Sequence, residues 1–218
     1  MIKNMAIPVI LFLLLLNSPL LWANECAKCH MKKNVKQTVF QTDPIQLIAD
    51  GKPRTITLSD AFDYHGHSCP GVTSTFLAVR YGIKLLFGGD APDQEDLVIF
   101  SRTPSPGTMD MIDFLMINKK GKIKTPAPKG MKSGRDKFFY TIYSKSRAMA
   151  VDIQLKPEHY PEDFFKIKKK KANNTISEDE RQTLHDYMKD MILAFPSMTM
   201  EELFGKPEPY MVITWGNL

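Results

Sequence analysis

The apolar positions along this chain fall into one long run followed by segments of helical or strand period. The long run comes first. Residues 5 to 16 are almost wholly apolar, Lys3 precedes them, and Asn17-Ser18-Pro19 breaks them. With Ala23 as a small residue at the cleavage position, this predicts a secretory signal peptide over residues 1–23. The alternative is an uncleaved anchor, because the run nearly reaches membrane-spanning length. Either way, the remainder of the chain is expected outside the cytoplasm, in a periplasmic location.

Residues 24–53 carry no sustained period. They read as a short motif followed by a connector, Lys-rich at first and then marked by Asp43-Pro44 and Gly51-Lys52-Pro53 turn signals. The main domain is expected over residues 54–218. Ser59 reads as the N-cap of a short helix running through Phe62 and Asp63. Val72, Phe76, Val79, Ile83 and Leu86, with Leu77, recur at helical spacing and predict a helix ending at Phe87-Gly88-Gly89. Residues 97–100 are a short apolar run of strand length. Residues 108–117 read as a helix with Met109, Ile112, Leu115 and Met116 inward, and Asp110 and Asp113 read as solvated acids of its first turn.

Residues 118–135 are dense in Lys, Gly and Pro and read as an exposed loop. Residues 137–143 and 148–155 have strand character and are expected to pair as a hairpin. Ser177-Glu178-Asp179-Glu180 is a capping box opening a helix to about Ala194. Residues 199–204 form a short helix stopped by Gly205, and residues 210–215 a final strand. These elements predict an α+β fold, a small mixed or antiparallel sheet packed with several helices in a single main domain.

Composition narrows the class. Hydrophobic content is 43% and charged content 24%, as in an ordinary globular protein. The formal net charge of +5 owes much to local lysine clusters, chiefly residues 166–171. That run reads as a solvated loop. Its alternative is a peripheral contact of Lys168, Lys169, Lys170 and Lys171 with an anionic membrane surface or an acidic partner. Nucleic acid is not expected as a partner of an exported chain without base-stacking motifs. Three cysteines are too few for a disulfide scaffold.

Those cysteines carry the chemistry. Cys26-Ala27-Lys28-Cys29-His30 is the spacing of covalent c-type haem attachment: two thiols add to the haem vinyl groups, and the adjacent His30 reaches the iron. An exported chain suits that maturation. The alternative is a Cys26–Cys29 disulfide or two-thiol metal clip. No Met or His lies between Met31 and Arg54, so a distal haem ligand would come from elsewhere; His159, His185 and the later methionines are candidates.

The third cysteine closes the donor part of His65-Gly66-His67-Ser68-Cys69-Pro70-Gly71. Cys69 sits at an N-cap position with Pro70 at the first helical position. A thiol there faces unpaired N–H groups and the positive end of the helix dipole, which favours the thiolate. Thiolate and imidazole are ligands for zinc and other late first-row divalent metals. The alternative is a buried Cys beside two loop histidines bonded to backbone.

This heptapeptide, followed by an amphipathic helix, resembles the opening signature of the formylmethanofuran dehydrogenase E-type family, most strongly over residues 58–90 and extending to about residue 155. The resemblance implies an α+β domain with a metal, often zinc, on Cys69 together with His65, His67 or both. It also implies a second Cys in a Cys-x-x-Asp pattern. The matching place here is Gly107-Thr108-Met109-Asp110, which has no Cys but makes Asp110 a secondary site candidate by resemblance. Lys119-Lys120-Gly121-Lys122 is a loose echo of a further Gly-Lys-Gly segment. Formylmethanofuran chemistry itself is not implied, since the chain shows no motif for tungsten, molybdenum or pterin.

The expected function is an exported metal-binding protein with one covalent haem and a redox or electron-transfer role, served by a redox partner protein or a small-molecule substrate. The alternative is a non-catalytic metal- or haem-binding module for sensing or delivery. A homodimer is compatible with either.

Overall fold

The computed structural model describes residues 42–116 and 130–213, all within one compact unit. The signal segment, the Cys26–His30 motif and Lys119–Lys122 lie outside the described residues. The α+β expectation holds: six helices accompany a two-stranded and a four-stranded antiparallel sheet among these residues.

The first hairpin corrects the sequence reading. Strand β1 (Ile45–Ala49) pairs antiparallel with β2 (Lys52–Ile56) around Asp50-Gly51, where the turn signals predict a connector running to Pro53. Ile45, Leu47 and Ile56 are buried, so this stretch belongs to the core. Both turn residues adopt positive φ, 52° and 70°, which suits Asp and Gly.

Helix α1 (Leu58–His65) starts earlier than expected. Thr57, not Ser59, is its N-cap, and Thr57 and Asp60 form a reciprocal capping box. Gly66 ends the helix at φ 95°, a left-handed cap that turns the chain sharply after His65. Helix α2 (Pro70–Phe87) then runs through the middle of the molecule. Val72, Phe76, Leu77 and Val79 are fully buried, as their spacing predicts.

Strand β3 (Leu97–Ser101) forms one edge of the larger sheet. Strands β4 (Phe139–Ser144), β5 (Met149–Gln154) and the short β6 (Tyr210–Met211) follow as an antiparallel meander in the order β3-β4-β5-β6. Tyr140, Ile142, Val151 and Ile153 supply its buried residues, and α2 packs against β4 and β5. Within the described part of the predicted final strand, Tyr210–Met211 is paired; Thr214 and Trp215 lie outside the described residues.

Helix α3 (Pro106–Met116) lies beside α1 and α2. Its free C-terminal carbonyls are met by side chains: the Arg54 guanidinium donates to the oxygens of Phe114 and Leu115, and Gln94 Nε2 donates to Met116 O. Tyr64 stacks on Phe114 with ring centroids 5.0 Å apart. These contacts hold the facing surfaces of α1 and α3 in register.

Helix α4 (Phe164–Ala172) is the second correction, because the density of lysine predicts a loop there. Phe164 and Ile167, three apart, are buried and anchor the helix, while Lys166, Lys168, Lys169 and Lys171 are exposed and Lys170 is half-buried. Helix α5 (Glu178–Ala194) opens with the Ser177–Glu180 capping box and buries Leu184, Met191 and Ile192. Helix α6 (Met200–Phe204) ends at Gly205. Among the described residues, no helix is long and apolar enough to cross a membrane.

Candidate metal centre

The turn after α1 and the start of α2 bring His65, His67 and Cys69 together. One ligand atom from each lies within 4.8 Å of the others. The two imidazoles touch, with centroids 4.3 Å apart and planes tilted by 38°. His65 is 9% exposed, and His67 and Cys69 are half-buried. His65 departs from the alternative of a loop histidine bonded to backbone: it ends α1, and its Nδ1 meets the Asp110 carboxylate.

Cys69 occupies the N-cap position of α2 in extended backbone geometry, φ −146° and ψ 133°. It makes no conventional capping hydrogen bond. The N–H groups of Gly71 and Val72 nevertheless face its sulfur. Burial alone would push the thiol up; the His65 imidazole beside it, aided by those two N–H groups, outweighs burial and holds the thiol below its ordinary value. His65 shows the mirror effect. Burial pushes its imidazole down, but Cys69 and Asp110 together carry it above its ordinary value.

Asp110 follows the family pattern, which makes it a site candidate, rather than its position in the helix, which reads as solvated. It is not a solvated first-turn acid: its side chain is 16% exposed, and its Oδ2 lies 2.6 Å from His65 Nδ1. A carboxylate on Nδ1 fixes the tautomer with the proton on that nitrogen and leaves Nε2 as the donor atom. The signal is present in the family pattern, which ends in this acid.

The donor set fits a divalent transition metal. One thiolate and two neutral imidazoles form a zinc-type ligand set. A thiolate and the Asp110 carboxylate together balance the two positive charges of such an ion, so the half-buried site would carry no net charge. The neighbouring backbone is held in place by hydroxyls. Thr75 Oγ1 donates to Gly71 O at 2.7 Å and lies 3.0 Å from both Thr108 Oγ1 and Tyr140 Oη; Ser105 Oγ donates to Thr108 Oγ1 at 3.0 Å. All four side chains are buried, so this network ties the starts of α2 and α3 to β4.

Gly107 shows why those two helix starts can meet. A Cβ built on it would lie 2.9 Å from Cys69 Sγ and 3.0 Å from Val72 N. The position where the family pattern places a second Cys therefore borders the first. Gly107→Ala is expected to push the helix starts apart and displace the sulfur. A destabilisation of about 1–3 kcal/mol in urea unfolding should accompany weaker metal binding in a competition titration. Unchanged metal affinity would show that the close approach does not matter to the site.

The donors open into a cavity of about 220 Å³. Its walls include Phe138, Tyr160, Phe164, Leu184 and Met188, with Lys168 and Lys171 also lining it. Tyr160 is 2% exposed, and burial holds its phenol well above its ordinary value, so it stays neutral beside the thiol. Sequence reading misses this wall because its residues come from the loop before β4, the turn before α4, and α4 and α5.

The remaining histidines among the described residues lie elsewhere. His159 Nε2 is 2.9 Å from Glu202 O, and His185 is exposed on α5, 3.5 Å from Asp186. Neither joins the His65 cluster.

No curated protein sequence matches the chain significantly. The family model for FmdE, molybdenum formylmethanofuran dehydrogenase operon, matches residues 64–205. That span begins at Tyr64, takes in the three donors, Gly107 and Asp110, and continues well past residue 155 through α4, α5 and α6. It covers more than half of the 218 residues, and the chain belongs to the FmdE family.

Proposed function

We propose that this chain is an exported protein that holds one divalent transition metal, zinc by ligand type, on His65, His67 and Cys69, and that it carries one c-type haem on Cys26 and Cys29 with His30 as proximal ligand. Its role is redox: electron transfer, or a redox step on a small molecule held in the cavity. The observation that carries the metal reading is the convergence of the three donors within 4.8 Å at a cavity. Three protein donors beside an open cavity match the pattern of sites that leave a position for a ligand.

The chain's own residues divide the work. Asp110 keeps a proton on His65 Nδ1 and presents Nε2 to the metal. The N–H groups of Gly71 and Val72 stabilise the Cys69 thiolate. Phe138, Tyr160, Phe164 and Leu184 exclude water from the cavity. A bound zinc ion would supply Lewis acidity toward an oxygen or nitrogen of the ligand.

Elemental analysis of purified protein tests the metal half, and about one equivalent of zinc per chain is expected, counted apart from any haem iron. A haem-stained denaturing gel with a pyridine haemochrome spectrum, on protein made with the c-type maturation system, tests the other half. Covalent haem is expected. Its absence would return Cys26 and Cys29 to a disulfide or metal clip and leave the metal site as the chemistry of the protein. Haem that cycles with a donor but supports no turnover would favour the carrier or sensor reading.

A further inference from the structure

The cavity beside the three donors has a mixed lining. His65, His67 and Cys69 share it with apolar side chains, Phe138, Tyr160 and Phe164 among them. Lys168 and Lys171, both exposed at its edge, are the cationic residues of its lining, and no Asp or Glu lines it among the described residues. The two lysines stand three apart on α4 and so share one face. Lys168 Nζ sits 6.0 Å from the ring centroid of Phe164, itself a buried wall residue, so this ammonium is drawn over the cavity wall. The other lysines of the run are placed differently. Lys170 pairs with Glu180, and neither Lys166 nor Lys169 lines the cavity. Neither Lys168 nor Lys171 is ion-paired with an acid among the described residues.

We infer that the cavity takes a small organic carboxylate: a metal-binding donor at one end, a short apolar or aromatic middle against Phe138, Tyr160 and Phe164, and a carboxylate at the other end met by Lys168 and Lys171. The inference rests on the metal reading above. Size agrees, because about 220 Å³ lies below the roughly 300–1,000 Å³ of drug-sized sites. Charge agrees as well. Two cations at an apolar wall without a carboxylate favour an anion, and the balanced donor cluster leaves that preference in place.

The test uses the full chain loaded with Co²⁺, whose visible bands, read as a difference against the Zn²⁺-loaded chain so that haem absorption cancels, report ligand binding at the metal. Two probes are titrated: benzohydroxamate, and 4-carboxybenzohydroxamate, which adds only the carboxylate. The carboxylated probe is expected to bind about fivefold more tightly at low ionic strength, the upper end for one exposed charge pair, because two ammonium groups meet its carboxylate. That advantage should shrink as salt is raised. In the double variant Lys168→Met, Lys171→Met, which keeps the aliphatic stems, the two probes should bind alike, with benzohydroxamate unchanged from wild type.

Equal binding of both probes to wild type would overturn the inference, and so would a carboxylate preference that survives in the double variant; both results would leave the metal reading standing. Failure of cobalt to give thiolate-ligated bands would remove the metal reading and this inference with it.

Discussion

Cys69→Ala is expected to abolish stoichiometric zinc in the purified protein and to lower the affinity for added Zn²⁺ by more than about 100-fold. The size follows from comparison with outer-shell losses. Removing a group that only orients a ligand costs about 10–100-fold, and Cys69 is the one anionic donor of the set, so its loss should exceed that range. The remaining donors would be two neutral imidazoles, a pair common on protein surfaces without any metal. Folding should survive. The side chain is half-buried at the edge of the core, so the metal-free variant should match metal-free wild type in urea unfolding to within about 1 kcal/mol. A variant that retained one equivalent of metal at wild-type affinity would show that the three-donor cluster is not the site.

Asp110→Asn is the second large effect, and it separates positioning from ligation. The amide is close in shape to the carboxylate and can still accept from His65 Nδ1–H, so the fold around α3 should be undisturbed. It cannot balance charge. The site would gain one positive charge on binding a divalent ion, and the weaker hydrogen bond would reduce the basicity of the donor nitrogen. A loss of Zn²⁺ affinity of about 10–100-fold is expected, with stoichiometry still reaching one at saturation. The cobalt spectrum should keep its thiolate band, because Cys69 remains in place. Wild-type affinity in Asp110→Asn would mean that the 2.6 Å contact orients nothing. Loss of the thiolate band would mean that Asp110 supports the fold of the site rather than one of its ligands.

How much of this is readable in the sequence varies with how local each cause is. Cys69 as N-cap, Pro70 behind it and Gly88 at the far end of α2 are written in a few adjacent residues, and the helix forms where those signals place it. The Ser177–Glu180 box behaves the same way. Strand β1 escapes such a reading because Ile45, Leu47 and Ala49 are only three buried positions between two turn signals. Their burial depends on pairing with β2 and on contacts across the chain. The lysine run hides α4 for a related reason: Phe164 and Ile167 are a complete apolar face for so short a helix, yet five charges surround them.

Asp110 is the sharpest case. An acid early in a helix reads the same whether water or a histidine 45 residues away receives it. Only the packing of Tyr64 on Phe114 and the Arg54 bonds to the end of α3 decide which, and no local window contains both sides of those contacts. The apolar cavity wall is hidden likewise, since its residues are ordinary core positions until several elements enclose a space.

The three donors all fall within five consecutive positions, on a chain that turns at Gly66. Such a chelate closes loops of only a few residues, so it needs little of the folded protein to form. The denatured chain can therefore hold the ion too, and an ion that binds both states stabilises the native one only by the difference. The melting temperature should rise less on metal addition than the native affinity alone would imply. Most of that rise should come from Asp110 and the cavity wall, which come to bear on the ion only after folding. Metal capture and folding are thus separable in time: a newly made chain can take up its ion as an extended segment, and the fold then tightens the grip.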